Sequence, residues 1–154
     1  MIRHFLSFIL VVIISFFMIN SIAEGRDLIG NDRIINDHLL PCLSEVACVS
    51  SWPKDSQSYI APIVYHIDKN QAKEILLKVL TVVPRTHVVE TQDNYILAEA
   101  KGKFFGGMND IEFYFPPNLS MIELRSTSRN SKFDLGVNRR RLEQIRLALK
   151  DLNI

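Results

Sequence analysis

Between residues 110 and 126 the apolar residues fall on alternate positions on both sides of a proline pair. Ile111, Phe113 and Phe115 precede "PPNLS", and Ile122 and Leu124 follow it. A period of two places one set of side chains on each face of a strand, and a one-residue slip would turn every apolar side chain to solvent. The two segments "DIEFYF" and "MIELRS" therefore form a hairpin of restricted register. Superposing the apolar faces with a short loop sets Phe115 opposite Ile122, Phe113 opposite Leu124 and Glu112 opposite Arg125. On that register Asp110, Glu112 and Tyr114 share the other face with Glu123 and Arg125.

The same period runs through "THVVET" and "YILAEAKGKFF", joined by "QDN" as a first hairpin. Upstream the period lengthens. Ala72, Ile75, Leu76, Val79 and Val83 recur at helical spacing, Asp68 stands at the N-cap position with Gln71 as a capping-box partner, and Pro84 stops the helix. The spacing predicts a helix over 69–82. Downstream, Leu142, Ile145, Leu149 and Leu152, with Ala148 alongside, mark a second helix. Counting back by four brings Asn138 onto that stripe, with Arg139 and Arg140 pointing away and Arg141 at its flank. The order helix, four antiparallel strands, helix predicts an α+β two-layer sandwich over 59–154, with both helices on one face of a four-stranded meander. "YIAPIVYHI", which contains a proline, reads as an edge strand.

Residues 24–58 show no sustained period and read as an irregular arm, rich in Asp, Asn, Ser, Gly and Pro. Residues 1–23 read as a signal peptide. Arg3 and His4 precede an apolar run from Phe5 to Ile19, and small residues at Ser21 and Ala23 suit cleavage after Ala23. The run is short of the roughly 20 residues that span a bilayer, and the rival reading is an uncleaved anchor over 5–22. Either way the domain is expected to be periplasmic or otherwise exported. Cys42 and Cys48, the only cysteines, then form a disulfide rather than a reactive thiol pair.

The chain carries 18 Lys and Arg against 17 Asp and Glu; losing Arg3 with the signal peptide leaves 17 against 17. A neutral exported domain is not expected to bind nucleic acid. Positive charge is concentrated locally in "RSTSRNSKFDLGVNRRRLEQIR" at 125–146. A strand end and a helix start there bring together Glu112, Arg125, Arg129, Asp134, Asn138 and Arg139 as the candidate binding corner. Free N–H groups at a helix N-terminus beside arginines suit a small anion, an anionic lipid headgroup or a carboxylate on an envelope protein. The structural alternative pairs Arg125 with Glu112 and Arg129 with Asp110 or Asp134, and uses Asp134 or Asn138 as the helix cap. A third reading, from a different class, is an envelope hydrolase or isomerase that uses Glu112 and Asp110 as acid and base. No histidine falls within these motifs, and HExxH, GxSxG and CxxC are absent from the sequence, so no metal or cofactor is expected. "AKGKFFGGMND" lacks the spacing of a phosphate loop and reads as a turn between hairpins, with Phe104 and Phe105 as core residues.

The pieces "PCLSEVACVSS", "APIVY", "NYILAEAKGKFF", "NDIEFYF", "RSTSR" and "DLGVNRRRLEQIR" together resemble the bacterial and plastid family named domain of unknown function 1499, from about Leu40 to Leu149. The resemblance implies a small exported or membrane-tethered domain without assigned activity. The family pattern carries an acid where this chain has Asn109, and a glycine and small residue where it has "NSKF", which predicts a different turn around Ser131.

Overall fold

The computed structural model describes residues 33–43, 46–102, 107–129 and 135–154. The expected signal peptide, Phe104, Phe105, Ser131 and Asp134 lie outside the described residues.

The first helix, α1 (Lys69–Val82), forms where the spacing predicts. Asp68 caps it by accepting the backbone N–H groups of Asn70 and Gln71 at 2.8 and 3.2 Å. Val83, ahead of Pro84, leaves the helix in an extended conformation. Gln71 contributes its backbone only, and its side chain lies exposed.

Four strands follow in chain order. They are β5 (Thr86–Thr91), β6 (Tyr95–Lys101), β7 (Met108–Tyr114) and β8 (Met121–Ser128). They pair antiparallel in sequence order, with Phe113 opposite Leu124 and Glu112 opposite Arg125, as the alternation requires. The sheet is nevertheless larger than a four-stranded meander: it has six strands. β3 (Cys48–Ser50) and β4 (Ile63–Val64) both pair with the free edge of β8, one along each half of it. β4 is the edge segment anticipated from "YIAPIVYHI". β3 comes from the arm, so that segment is not wholly irregular. A three-residue strand has no period to read; β8, already ordered by β7, supplies the template for it.

The arm also holds a miniature hairpin, β1 (Ile34–Ile35) with β2 (His38–Leu39). Asn36 and Asp37 at its turn both adopt positive φ, at 51° and 60°. Two-residue hairpin turns favour this conformation because it matches the twist of the strands. The disulfide between Cys42 and Cys48 is present, with Cα atoms 5.7 Å apart.

The second helix, α2 (Val137–Asp151), starts from Gly136 at φ 74°, with no side-chain cap. Asn138 is its second helical residue rather than the cap. Leu142, Ile145 and Leu149 are buried, but Leu152 is 53 % exposed, contrary to the predicted stripe. The helix ends at Asp151, so Leu152 leaves the helical trace, and Ile154 takes the buried place instead.

Within Ile34–Ile154, one compact unit, the two faces of the sheet are covered differently. Ile96, Ala98, Ile111, Phe113, Ile122 and Leu124 pack with Leu76, Leu80, Leu142, Ile145 and Leu149 in the main core, so both helices lie on one face. On the other face Leu39, with Ile34 beside it, packs against Tyr95, Leu97 and Tyr114. The arm is thus a lid on the second face of the sheet.

Candidate functional site

The segment Arg125-Ser126-Thr127-Ser128 is strand, so its side chains alternate between these two faces. The arginines and serines of the basic stretch therefore take part in two separate networks.

On the arm face, Arg125 and Glu112 form an ion pair between adjacent strands. The Glu112 side chain is fully buried and that of Arg125 is 9 % exposed. The Tyr95 hydroxyl donates to Glu112 Oε1 at 2.9 Å. One step along the sheet, Glu99 on β6 lies opposite Asp110 on β7. Two like charges in register repel, and Arg129 spans them. Its Nε and Nη2 donate to Asp110 Oδ1 at 3.0 and 2.6 Å, and Nη2 also reaches Glu99. Its hydrogen bonds to Asp110 first and then to Glu99 hold the guanidinium still more firmly protonated than usual. His87, opposite Glu99, brings Nε2 to 3.3 Å from that carboxylate.

A fourth acid on this face secures the arm. Buried Glu123 accepts from His38 Nδ1 at 2.6 Å and from the Leu39 backbone N–H at 2.9 Å. The His38 ring stacks on Trp52, with centroids 4.1 Å apart. Tyr114, also buried, donates to Asp37 Oδ1 at 3.4 Å. Burial first, then Asp37 and Glu123, raises the Tyr114 phenol above its ordinary value. A raised folded value means that the stability contributed by the protonated phenol is fully present below about pH 10 and is lost as pH rises through the folded value. Tyrosinate absorbance of the parent is expected to show late-titrating phenols. Tyr114→Phe should remove one of them and make the arm less sensitive to base.

On the helix face the network is built around neutral side chains. The Ser126 hydroxyl donates to Asn138 Oδ1 at 2.8 Å, and Asn138 Nδ2 donates to the Ala47 carbonyl at 3.1 Å and to Ser128 Oγ at 3.2 Å. Ser128 Oγ in turn donates to Asn109 Oδ1 at 2.5 Å, and Asn109 Nδ2 donates to the Ala100 carbonyl at 3.2 Å. A carboxylate at 109 could not make that last donation, so the amide at this position suits its partners here. Asn138 is wholly buried and links α2 to β8 and to the residue before β3. Arg139 reaches the Tyr59 carbonyl at 2.9 Å, and Arg141 donates to Asn138 Oδ1 at 3.3 Å.

Of the predicted corner, the structure brings Glu112 and Arg125 into contact and seats Arg129 on the same face of the sheet, paired with Asp110 and Glu99. Asn138 and Arg139 belong to the helix on the opposite face. The partners missed in the sequence are Glu99, Tyr95, Ser128, Ala47, His38 and Glu123. Parity along "YILAEAK" carried the signal for Tyr95 and Glu99, since both share a face with Leu97. The Ala47 carbonyl had no signal, because a backbone acceptor leaves no mark on residue type. Among the described residues no cluster of three or more metal-ligating side chains occurs, and no helix is long and apolar enough to cross a membrane.

A family model described as protein of unknown function, DUF1499, matches residues 38–149. The chain belongs to that family, and the match spans the sheet, α1 and most of α2. Among curated proteins none matches it at the same standard.

Proposed function

We propose that this chain is a non-catalytic, exported binding or structural module whose arginines tie neighbouring strands of one sheet together and help fasten the last helix to the domain. The observation that carries this reading is the state of Glu112. A general acid or base has to reach a substrate, directly or through one water, and Glu112 is fully buried between Arg125 and Tyr95. Asp110 is 6 % exposed and held by Arg129. An envelope hydrolase or isomerase working through these two carboxylates would first have to break both clamps. Export is supported by the apolar N-terminal run and agrees with the disulfide.

An anion at the corner would compete with Glu99 and Asp110 for Arg129, whose side chain is 39 % exposed. Arg129→Gln separates the two roles. As a fastener, Arg129 contributes through partly solvated pairs, and its loss is expected to cost about 1 kcal/mol in urea denaturation. The thermal shift of the protein with phosphates, carboxylates and anionic headgroups should be the same in parent and variant. A saturable shift in the parent that disappears in a still-folded Arg129→Gln protein would instead make the corner an anion site.

A further inference from the structure

A cleft of about 420 Å³ lies between β4 and the C-terminal end of α2. It shares no residue with the acid–arginine network. Three basic side chains line it, His66, Arg146 and Lys150, and no Asp or Glu does. In a chain with nearly equal numbers of acids and bases, that is a local imbalance. The remaining lining is Asn153 and apolar surface from Ile63, Val64 and Ile154. The volume falls within the range of small-molecule sites, which combine apolar walls with a few polar groups.

The three basic side chains are not equivalent. Arg146 is built into the wall: Nε donates to Glu143 and Nη1 to the Pro62 carbonyl, each at 2.9 Å, while Nη2 donates to the Ala61 carbonyl. Each nitrogen of its planar fork thus already serves a protein acceptor. Lys150 and His66 are exposed, and among the described residues neither side chain has a hydrogen-bonding or ionic partner. The carbonyls of Ala148, Leu149 and Lys150, which would otherwise present the negative end of α2, accept the N–H groups of Leu152, Asn153 and Ile154. Val64 adds a backbone donor. Ile63 faces Ile122, and the Tyr65 N–H donates to Ser120, so Val64 between them turns its own N–H away from β8.

We propose that this cleft binds a phosphate group carried on a small apolar body. A carboxylate is best recognised by a bidentate guanidinium, and Arg146 already gives donors on all three of its nitrogens to protein acceptors. An ammonium, an imidazole and a backbone N–H are single-point donors, and such a set suits a tetrahedral oxyanion instead. The apolar part of the ligand lies along Ile63, Val64 and Ile154. The phosphate belongs either to a free phosphomonoester or to a lipid headgroup.

The test is a titration of the full chain, followed by backbone amide NMR, with n-butyl phosphate, inorganic phosphate, and phosphatidylcholine vesicles with and without phosphatidic acid. Saturable perturbation at Val64, Lys150 and Asn153 is expected with n-butyl phosphate, with inorganic phosphate binding more weakly. Lys150→Gln and His66→Gln change exposed side chains and should leave the fold intact. Lys150→Gln should weaken binding about 10-fold, the effect of losing one charged hydrogen bond. Perturbation by phosphatidic acid vesicles alone, lost in Lys150→Gln, would support the site and identify its phosphate as a lipid headgroup. Absence of saturable perturbation with all of these probes would overturn the proposal, as would binding unchanged in the Lys150→Gln, His66→Gln double variant.

Discussion

Glu112→Ala is expected to lower the unfolding free energy by about 3–5 kcal/mol, because it strands a buried guanidinium. Arg125 is 7 % exposed and its Nε already has no hydrogen-bond partner, so the loss of Glu112 would remove its only carboxylate contact within the described residues. The Tyr95 hydroxyl would lose an acceptor in the same step. Against a total stability of about 5–15 kcal/mol for a domain of this size, the variant would be marginal. The informative comparison is therefore with Glu112→Leu combined with Arg125→Met. Removing both charges relieves their desolvation cost, and buried ion pairs replaced by apolar residues are often neutral or better. The double variant should recover more than half of the loss, measured as the midpoint of urea denaturation at constant m-value. A single variant that loses less than about 1 kcal/mol would show that the pair behaves as a solvated surface bridge.

Asn138→Ala should cost about 2–4 kcal/mol, because it leaves several buried partners at once. The Ala47 carbonyl and the Ser126 hydroxyl would each lose a partner, and Arg141 would lose one contact. Asn138→Asp distinguishes the contacts. An aspartate can still accept from Ser126 and Arg141, and its charge is favoured in the first turn of a helix. It cannot donate to the Ala47 carbonyl, and would bring an oxygen against an oxygen there. Asn138→Asp should accordingly destabilise the protein and speed hydrogen exchange at β3 amides, which lie next to Ala47. If Asn138→Ala retained parental stability, the Asn138 contacts would contribute nothing to holding α2.

These two variants probe opposite faces of the same strand, and that division explains what was legible in the residues. Alternation in 110–126 is a local property, and the steric rule that a strand presents successive side chains to opposite faces fixes the register of β7 on β8 without knowledge of the rest. The Glu112–Arg125 pairing follows from it. Helical spacing and Pro84 likewise locate α1, since both act within a few residues. The family match over 38–149 agrees with the span of the motifs.

Other features depended on contacts distant in sequence. Leu152 fits the helical period but falls outside the core because the helix stops one residue earlier. Arg129 neighbours Asp134 in sequence, yet its described carboxylate partners, Glu99 and Asp110, come from two other strands. The arm shows no period because its strands are two or three residues long. Its order comes from a disulfide, from Glu123, and from the open edge of β8.

The sequence by itself determined the helices, the four antiparallel strands, the cysteine partnership and the Glu112–Arg125 register, because each rests on short-range periodicity or on a choice among very few partners. Only the tertiary structure decided that the arginines and serines of one strand serve two faces, that the arm adds a strand, and that a basic cleft opens beside β4. Each of these joins residues tens of positions apart, and chain folding, not local preference, sets which side chains meet.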